Sequence, residues 1–141
     1  MTSCDIDFGK LTFLVIEDQE YVRSLISELL KRLGADRVFE ESNGAAALEL
    51  LKTATPDFVF CDIKMEPVDG LEFLRRVRTG VDGVGDRQLP IVFLTSDSER
   101  TTVMAAIEGN VDGYLVKPVS LGDLKAKITF VLERRRAAAR R

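Results

Sequence analysis

The sequence predicts an α/β fold: a doubly wound, five-stranded parallel sheet in the order 2-1-3-4-5, flanked by five helices. Three observations carry that reading. Five short apolar runs alternate with five stretches whose apolar residues recur every three or four positions, so strand and helix take turns along the chain. The run Phe58, Val59, Phe60 and Cys61 is apolar without alternation, as in a strand buried on both faces between helical layers. The 141 residues contain no internal repeat and suit one domain, with no room for a second catalytic or DNA-reading one.

Taken in order, residues 1–10 read as an N-terminal tail and 11–16 as the first strand, which ends in the acid pair Glu17 and Asp18. The first helix follows at once. Its stripe is Val22, Leu25, Ile26, Leu29, Leu30 and Leu33, and Gly34 stands where a left-handed residue would close it. Residues 37–41 form a short strand with polar flanks near the sheet edge. Ser42 or Asn43 caps a second helix through Ala45, Leu48, Leu51 and Ala54, which Pro56 stops. The third strand, 58–62, leaves a Thr55-Pro56-Asp57 turn and delivers Asp62.

Past a loop through Lys64 and Pro67, the third helix spans 71–78, with Phe73, Leu74 and Val77 inward and Arg75, Arg76 and Arg78 on the wet face. Gly80, Gly83 and Gly85 mark a flexible connection to the fourth strand, 91–94, which ends at Thr95 and Ser96. Their spacing is not a dinucleotide fingerprint, and they precede a strand instead of following one. The fourth helix, 98–108, has few apolar anchors and the β-branched Thr101 and Thr102, so it should be the least firmly held. A fifth strand, 113–116, ends in Lys117 and Pro118. The last helix opens on the capping-box pair Ser120 and Asp123, repeats Leu121, Leu124, Ile128, Val131 and Leu132, and can run on into 133–141. The domain is thus 11–132, with 133–141 a basic extension of its last helix.

Composition narrows the chemistry. With no histidine, a Ser-His-Asp relay, a His-ligated zinc and a His-based proton transfer are all excluded. Cys4 and Cys61 have neither metal-knuckle spacing nor a reason to pair. No apolar segment approaches the roughly 20 residues that span a bilayer, and no basic lead suggests a secretory signal, so the cytoplasm is the expected compartment. The net charge is −3, but 133–141 holds five arginines and one acid, which leaves −7 for 1–132. That tail has no stacking aromatics and no reading helix, so specific nucleic-acid binding is not expected. It reads as a solvated helix end, a docking handle for an acidic partner, or the start of a linker.

In an open parallel sheet, ligands bind at the carboxyl ends of the strands, where the winding reverses. The strand order places the first and third strands side by side there, bringing Glu17, Asp18 and Asp62 together. Like charges a few ångströms apart in a desolvated cleft repel, so such a site holds protons or binds a cation. Oxygen-only ligands suit a hard divalent ion, and Mg²⁺, which keeps several of its waters, suits a site with few carboxylates. The competing reading is that Glu17 and Asp18 merely favour a helix dipole, while Asp62, Thr95 and Lys117 are ordinary strand ends. Four such residues at four carboxyl ends weigh against coincidence.

These residues, in this order, resemble a CheY-type receiver domain, the phosphoacceptor module of bacterial response regulators. The likeness runs from about residue 11 to 132 and rests on Glu17-Asp18, on Asp62 followed by Met65, Pro67 and Asp69-Gly70, on Thr95-Ser96, on Tyr114 and on Lys117-Pro118. It implies that Asp62 accepts a phosphoryl group from a partner histidine kinase or histidine phosphotransfer protein. It further implies Mg²⁺ (or Mn²⁺) held directly by Asp18 and Asp62, by Glu17 through water, and by the Lys64 backbone carbonyl. Thr95 and Lys117 would contact the phosphoryl oxygens, small Ser96 would leave it room, and the Lys117-Pro118 bond would be cis.

Thr95 and Tyr114 would form a switch altering the surface of the fourth helix, fifth strand and fifth helix, read by a downstream protein. Such a phosphoacceptor assists its own phosphorylation and dephosphorylation without being an enzyme, and works as a monomer or weak dimer. The chain departs from the family pattern at Glu17, where aspartate is commoner, and at Lys64, a second ammonium beside the acceptor. A haloacid-dehalogenase-type phosphatase fits less well, because it needs an acid where Lys64 stands. The remaining alternatives are a receiver-like interaction module that is never phosphorylated, or a receiver fragment of a longer regulator.

Overall fold

A computed structural model describes residues 6–83, 85–96 and 110–139. Five strands, β1 (Thr12–Ile16), β2 (Arg37–Glu41), β3 (Phe58–Asp62), β4 (Ile91–Thr95) and β5 (Gly113–Val116), form one sheet in the order β2-β1-β3-β4-β5. Every pairing is parallel. The described helices are α1 (Glu20–Arg32), α2 (Gly44–Leu50), α3 (Gly70–Thr79) and a C-terminal helix, Leu121–Ala139. The expected fourth helix lies outside the described residues, as does Cys4.

All five residues of β3 and all five of β4 are buried, which is why those segments read as unbroken apolar runs. The pleat sorts side chains to the two faces of the sheet. Leu14, Ile16, Val59, Cys61, Ile91 and Phe93 pack with α2 and α3, through Leu48, Phe73, Leu74 and Val77. On the other face Phe13, Val15, Phe58, Phe60, Val92 and Leu94 meet Ile26 and Leu30 of α1 and Leu124, Ile128 and Val131 of the C-terminal helix. The rings of Phe58 and Phe60 lie 5.1 Å apart, and Phe13 stacks on Phe60 at 6.4 Å. Each fully buried ring removes apolar area worth about 1.5–3 kcal/mol from water.

Helix ends follow local chemistry. Asn43 caps α2 by accepting from the Ala46 N–H at 2.8 Å, and Asp69 caps α3 by accepting from Glu72 N–H at 2.8 Å. Ser120 and Asp123 exchange two 3.1 Å bonds as a capping box. Gly34, at φ +113°, follows α1 in the positive-φ conformation that glycine adopts freely. Regular helix in α2 ends at Leu50, short of Ala54, as the chain tightens into turns through Leu51 and Thr53. The tail segment contains a 3-10 turn, Phe8–Lys10, and Phe8 packs against the core.

Arg78 departs from the expected wet face of α3. Its side chain is only 13% exposed, and its guanidinium spans the Arg87, Leu89 and Asn110 carbonyls and the Asp112 carboxylate. Helical spacing alone could not show those acceptors, which come from strand-end loops.

Candidate functional site

The parallel register delivers the site. Ile16 pairs with Cys61, so Glu17 and Asp18, the next residues after β1, emerge beside Asp62, the last residue of β3. Asp62 pairs with Leu94 and Thr95 with Val116, which places Thr95 and Lys117 at the same edge of the sheet. Lys117 is held there through its backbone, whose N–H donates to the Thr95 carbonyl at 2.7 Å. The Lys117-Pro118 peptide is cis, as is Glu66-Pro67.

One carboxylate oxygen from each of Glu17, Asp18 and Asp62 lies within 4.8 Å of the others. Glu17 is fully buried and Asp62 nearly so, whereas Asp18 is exposed. The Lys117 ammonium donates to Glu17 Oε1 and to Asp62 Oδ1, both at 3.2 Å. Asp62 Oδ1 also accepts from the Ile63 N–H at 2.9 Å, and Glu17 Oε2 from the Gln19 N–H at 3.2 Å.

Burial dominates the electrostatics. Loss of water, then the neighbouring Asp62 charge, push the Glu17 carboxyl up to about 7, against the pull of Lys117. Burial likewise raises Asp62, with Lys117 opposing. Lys117 resists its own burial because Asp62 and Glu17 hold its proton, and the balance raises its pKa. Two carboxyls whose pKa values burial raises, one ammonium between them and the Asp18 carboxylate beside them make a crowded charge pattern. Three oxygen donors in that space fit a hard divalent cation, which would neutralise the same repulsion more completely than one amine.

Lys64 is exposed and lines the adjoining cleft with Asp18, Met65, Glu66 and Asp69. Thr95 is 2% exposed, and its hydroxyl donates to the Ser96 carbonyl at 3.0 Å. Tyr114, paired with Phe93 in the sheet, stands 43% exposed on β5. The structure thus gathers Glu17, Asp18, Asp62 and Lys117 into one cluster, flanked by Thr95 and Lys64, with Tyr114 further along β5. The sequence motif includes Gly70 without giving it a role. A Cβ there would lie 2.6 Å from the Asp62 carbonyl oxygen and 2.9 Å from Ile63 Cα, so the acceptor loop packs against bare backbone. The spacing Asp69-Gly70 was the available signal.

A parallel sheet in the order β2-β1-β3-β4-β5, with an acidic cluster and Lys117 at its carboxyl edge, defines a doubly wound domain with a charged site at its switch point. Residues 13–129 match the family model described as response regulator receiver domain, and the chain belongs to that family. It is 32% identical over 124 residues to the chemotaxis protein CheY of Pseudomonas aeruginosa, covering 88% of this chain and 98% of that one. Against chemotaxis protein CheY-3 of Vibrio cholerae it is 30% identical over 124 residues, covering 88% and 93%. The crystal structure of the chemotaxis response regulator CheY4 of Vibrio cholerae superposes with a TM-score of 0.74 at 25% identity, covering 86% of this chain and 98% of that one. Receiver domains act in phosphorelay signalling, interact in general with histidine kinases and downstream targets, and are in general not enzymes. Among the described residues no helix is long and apolar enough to cross a membrane.

Proposed function

We propose that this receiver domain accepts a phosphoryl group on Asp62 from a histidine kinase or histidine phosphotransfer protein. The observation that carries the reading is the Lys117 ammonium poised at 3.2 Å from both Asp62 and the buried Glu17, with Asp18 in the same cluster.

In the step envisaged, an Asp62 carboxylate oxygen attacks the phosphorus of the donor's phosphohistidine. A P–O bond forms as the P–N bond breaks, and the imidazole leaves. Such transfers depend on positioning and charge neutralisation more than on covalent catalysis by the protein. The Lys117 ammonium would turn from the carboxylates to the incoming oxygens, and the Thr95 hydroxyl would donate to another. Asp18 and Asp62 would hold Mg²⁺ (or Mn²⁺) directly, Glu17 through water and Lys64 through its backbone carbonyl. When bound, that ion supplies neutralisation of the developing phosphoryl charge. The same groups would position a water for hydrolysis, so the protein assists its own phosphorylation and dephosphorylation. Thr95 drawn toward the phosphoryl oxygens and Tyr114 turning inward would remodel the surface around β5 for a downstream protein.

Incubation with acetyl phosphate and Mg²⁺, read by intact mass, tests the reading. The expected result is a gain of one phosphoryl mass by the wild type and none by Asp62→Asn. No gain by the wild type would favour a receiver-like interaction module that is not phosphorylated, and an equal gain by Asp62→Asn would place the modification on another residue; either overturns the reading.

A further inference from the structure

At the amino ends of β4 and β5, across the sheet from Asp62, lies a cleft of about 430 Å³ lined by Arg78, Gln88, Asn110, Asp112, Arg134 and Arg135, among others. We propose that this cleft binds a small phosphate-bearing anion, such as a diphosphate group. The inference is independent of phosphoryl transfer at Asp62.

The argument is one of charge and unused donors. Asp112 accepts from the Ile91 N–H at 2.8 Å, from Arg78 Nη2 at 3.1 Å and from Arg135 Nε and Nη2 at 2.8 and 2.9 Å. Four donors already converge on this one carboxylate, and two guanidiniums share it. Arg78 is only 13% exposed and Arg135 30%, so this excess positive charge sits where solvent compensates it poorly. Asp86 favours the Arg78 charge from nearby, but it does not line the cleft, and its carboxylate receives the Gln88 N–H at 2.9 Å.

Donors remain for a ligand. Arg78 is fully engaged and acts as fixed charge, whereas Arg135 uses only Nε and Nη2 on Asp112, which leaves Nη1 available to the cleft. Arg134 lines the same space, its guanidinium carbon lying 5.6 Å from the centre of the Phe130 ring. Gln88 adds an uncharged polar residue to the lining. Among the described lining residues, three arginines against one acid give a net charge of about +2 within a concave, partly dry surface, the pattern that planar guanidiniums use to recognise phosphate. The volume exceeds what a single ion needs and falls within the range of small-ligand clefts.

The test is a titration of the metal-free protein with sodium pyrophosphate at fixed ionic strength, followed by backbone amide NMR. Saturable shifts centred on Gln88, Asp112 and Arg135 are expected. Arg134→Gln, at an exposed helical position, should weaken binding about tenfold, as loss of a charge-assisted contact does, while Asp62→Asn leaves it unchanged. Shifts that never saturate, that sodium chloride reproduces, that centre on Asp62 and Lys117, or that persist unchanged in Arg134→Gln would overturn the proposal.

Discussion

Replacing Lys117 by methionine keeps most of the stem and removes the charge that sits between two carboxyls. At 3.2 Å and an effective dielectric near 20, each of its two contacts has a gross attraction of about 5 kcal/mol. Desolvation offsets much of that, and the Lys117 side chain keeps 24% of its exposure, so the net loss should be about 2–3 kcal/mol when both carboxyls are ionised. The loss must depend on pH. Without the ammonium, the folded-state pKa values of Glu17 and Asp62 rise further above their unfolded values, so stability falls as pH climbs through them. Urea midpoints of metal-free wild type and Lys117→Met at pH 5.5 and pH 8 measure the effect. The difference should be about 2–3 kcal/mol at the higher pH and under about 1 kcal/mol at the lower, where protonation removes the repulsion. Equal differences at the two pH values would mean that Lys117 contributes packing only, and would refute the electrostatic reasoning.

Three further outcomes follow from the same geometry. Because burial raises Glu17 from 4.5 to about 7, the metal-free protein should lose stability as pH rises between those values; thermal midpoints across that window should fall for the wild type and fall less for Glu17→Gln. Gly70→Ala drives a methyl against the Asp62 carbonyl and the Ile63 backbone, which cannot rotate away, so a loss of about 1–3 kcal/mol in the urea midpoint is expected, with slower phosphorylation of Asp62. Asp112→Ala strands two guanidiniums and the Ile91 N–H, and should cost about 3 kcal/mol by chemical denaturation; a change under about 0.5 kcal/mol, as at an ordinary surface position, would show that the cluster is slack.

Much of this was legible because it depends on local chemistry. The unbroken apolar runs of β3 and β4 announce burial on both faces, and the acid that ends β3 stands out against them. Asn43, Gly34 and the Ser120–Asp123 pair are read directly as helix punctuation. What the chain order could not show is how neighbours share space. Glu17 and Asp18 are adjacent in sequence, yet one is fully buried against Lys117 and the other faces solvent, a difference that depends on Lys117, 100 residues away in the chain. Arg78 fits a wet helical face by periodicity and is instead drawn inward by carbonyls from distant loops. Asp112, one residue before a strand, carries no sequence signal that it will hold two arginines 34 and 23 residues away.

The most direct measurement of the central claim is the position of the phosphoryl group. Treatment with acetyl phosphate, hydride trapping of any acyl phosphate and peptide mapping should place the modification on Asp62 alone, only when Mg²⁺ is present, and with a sharp loss of yield in Lys117→Met. A modification on another residue, or one that forms on Asp62 equally well without Mg²⁺ and without the Lys117 amine, would contradict the account.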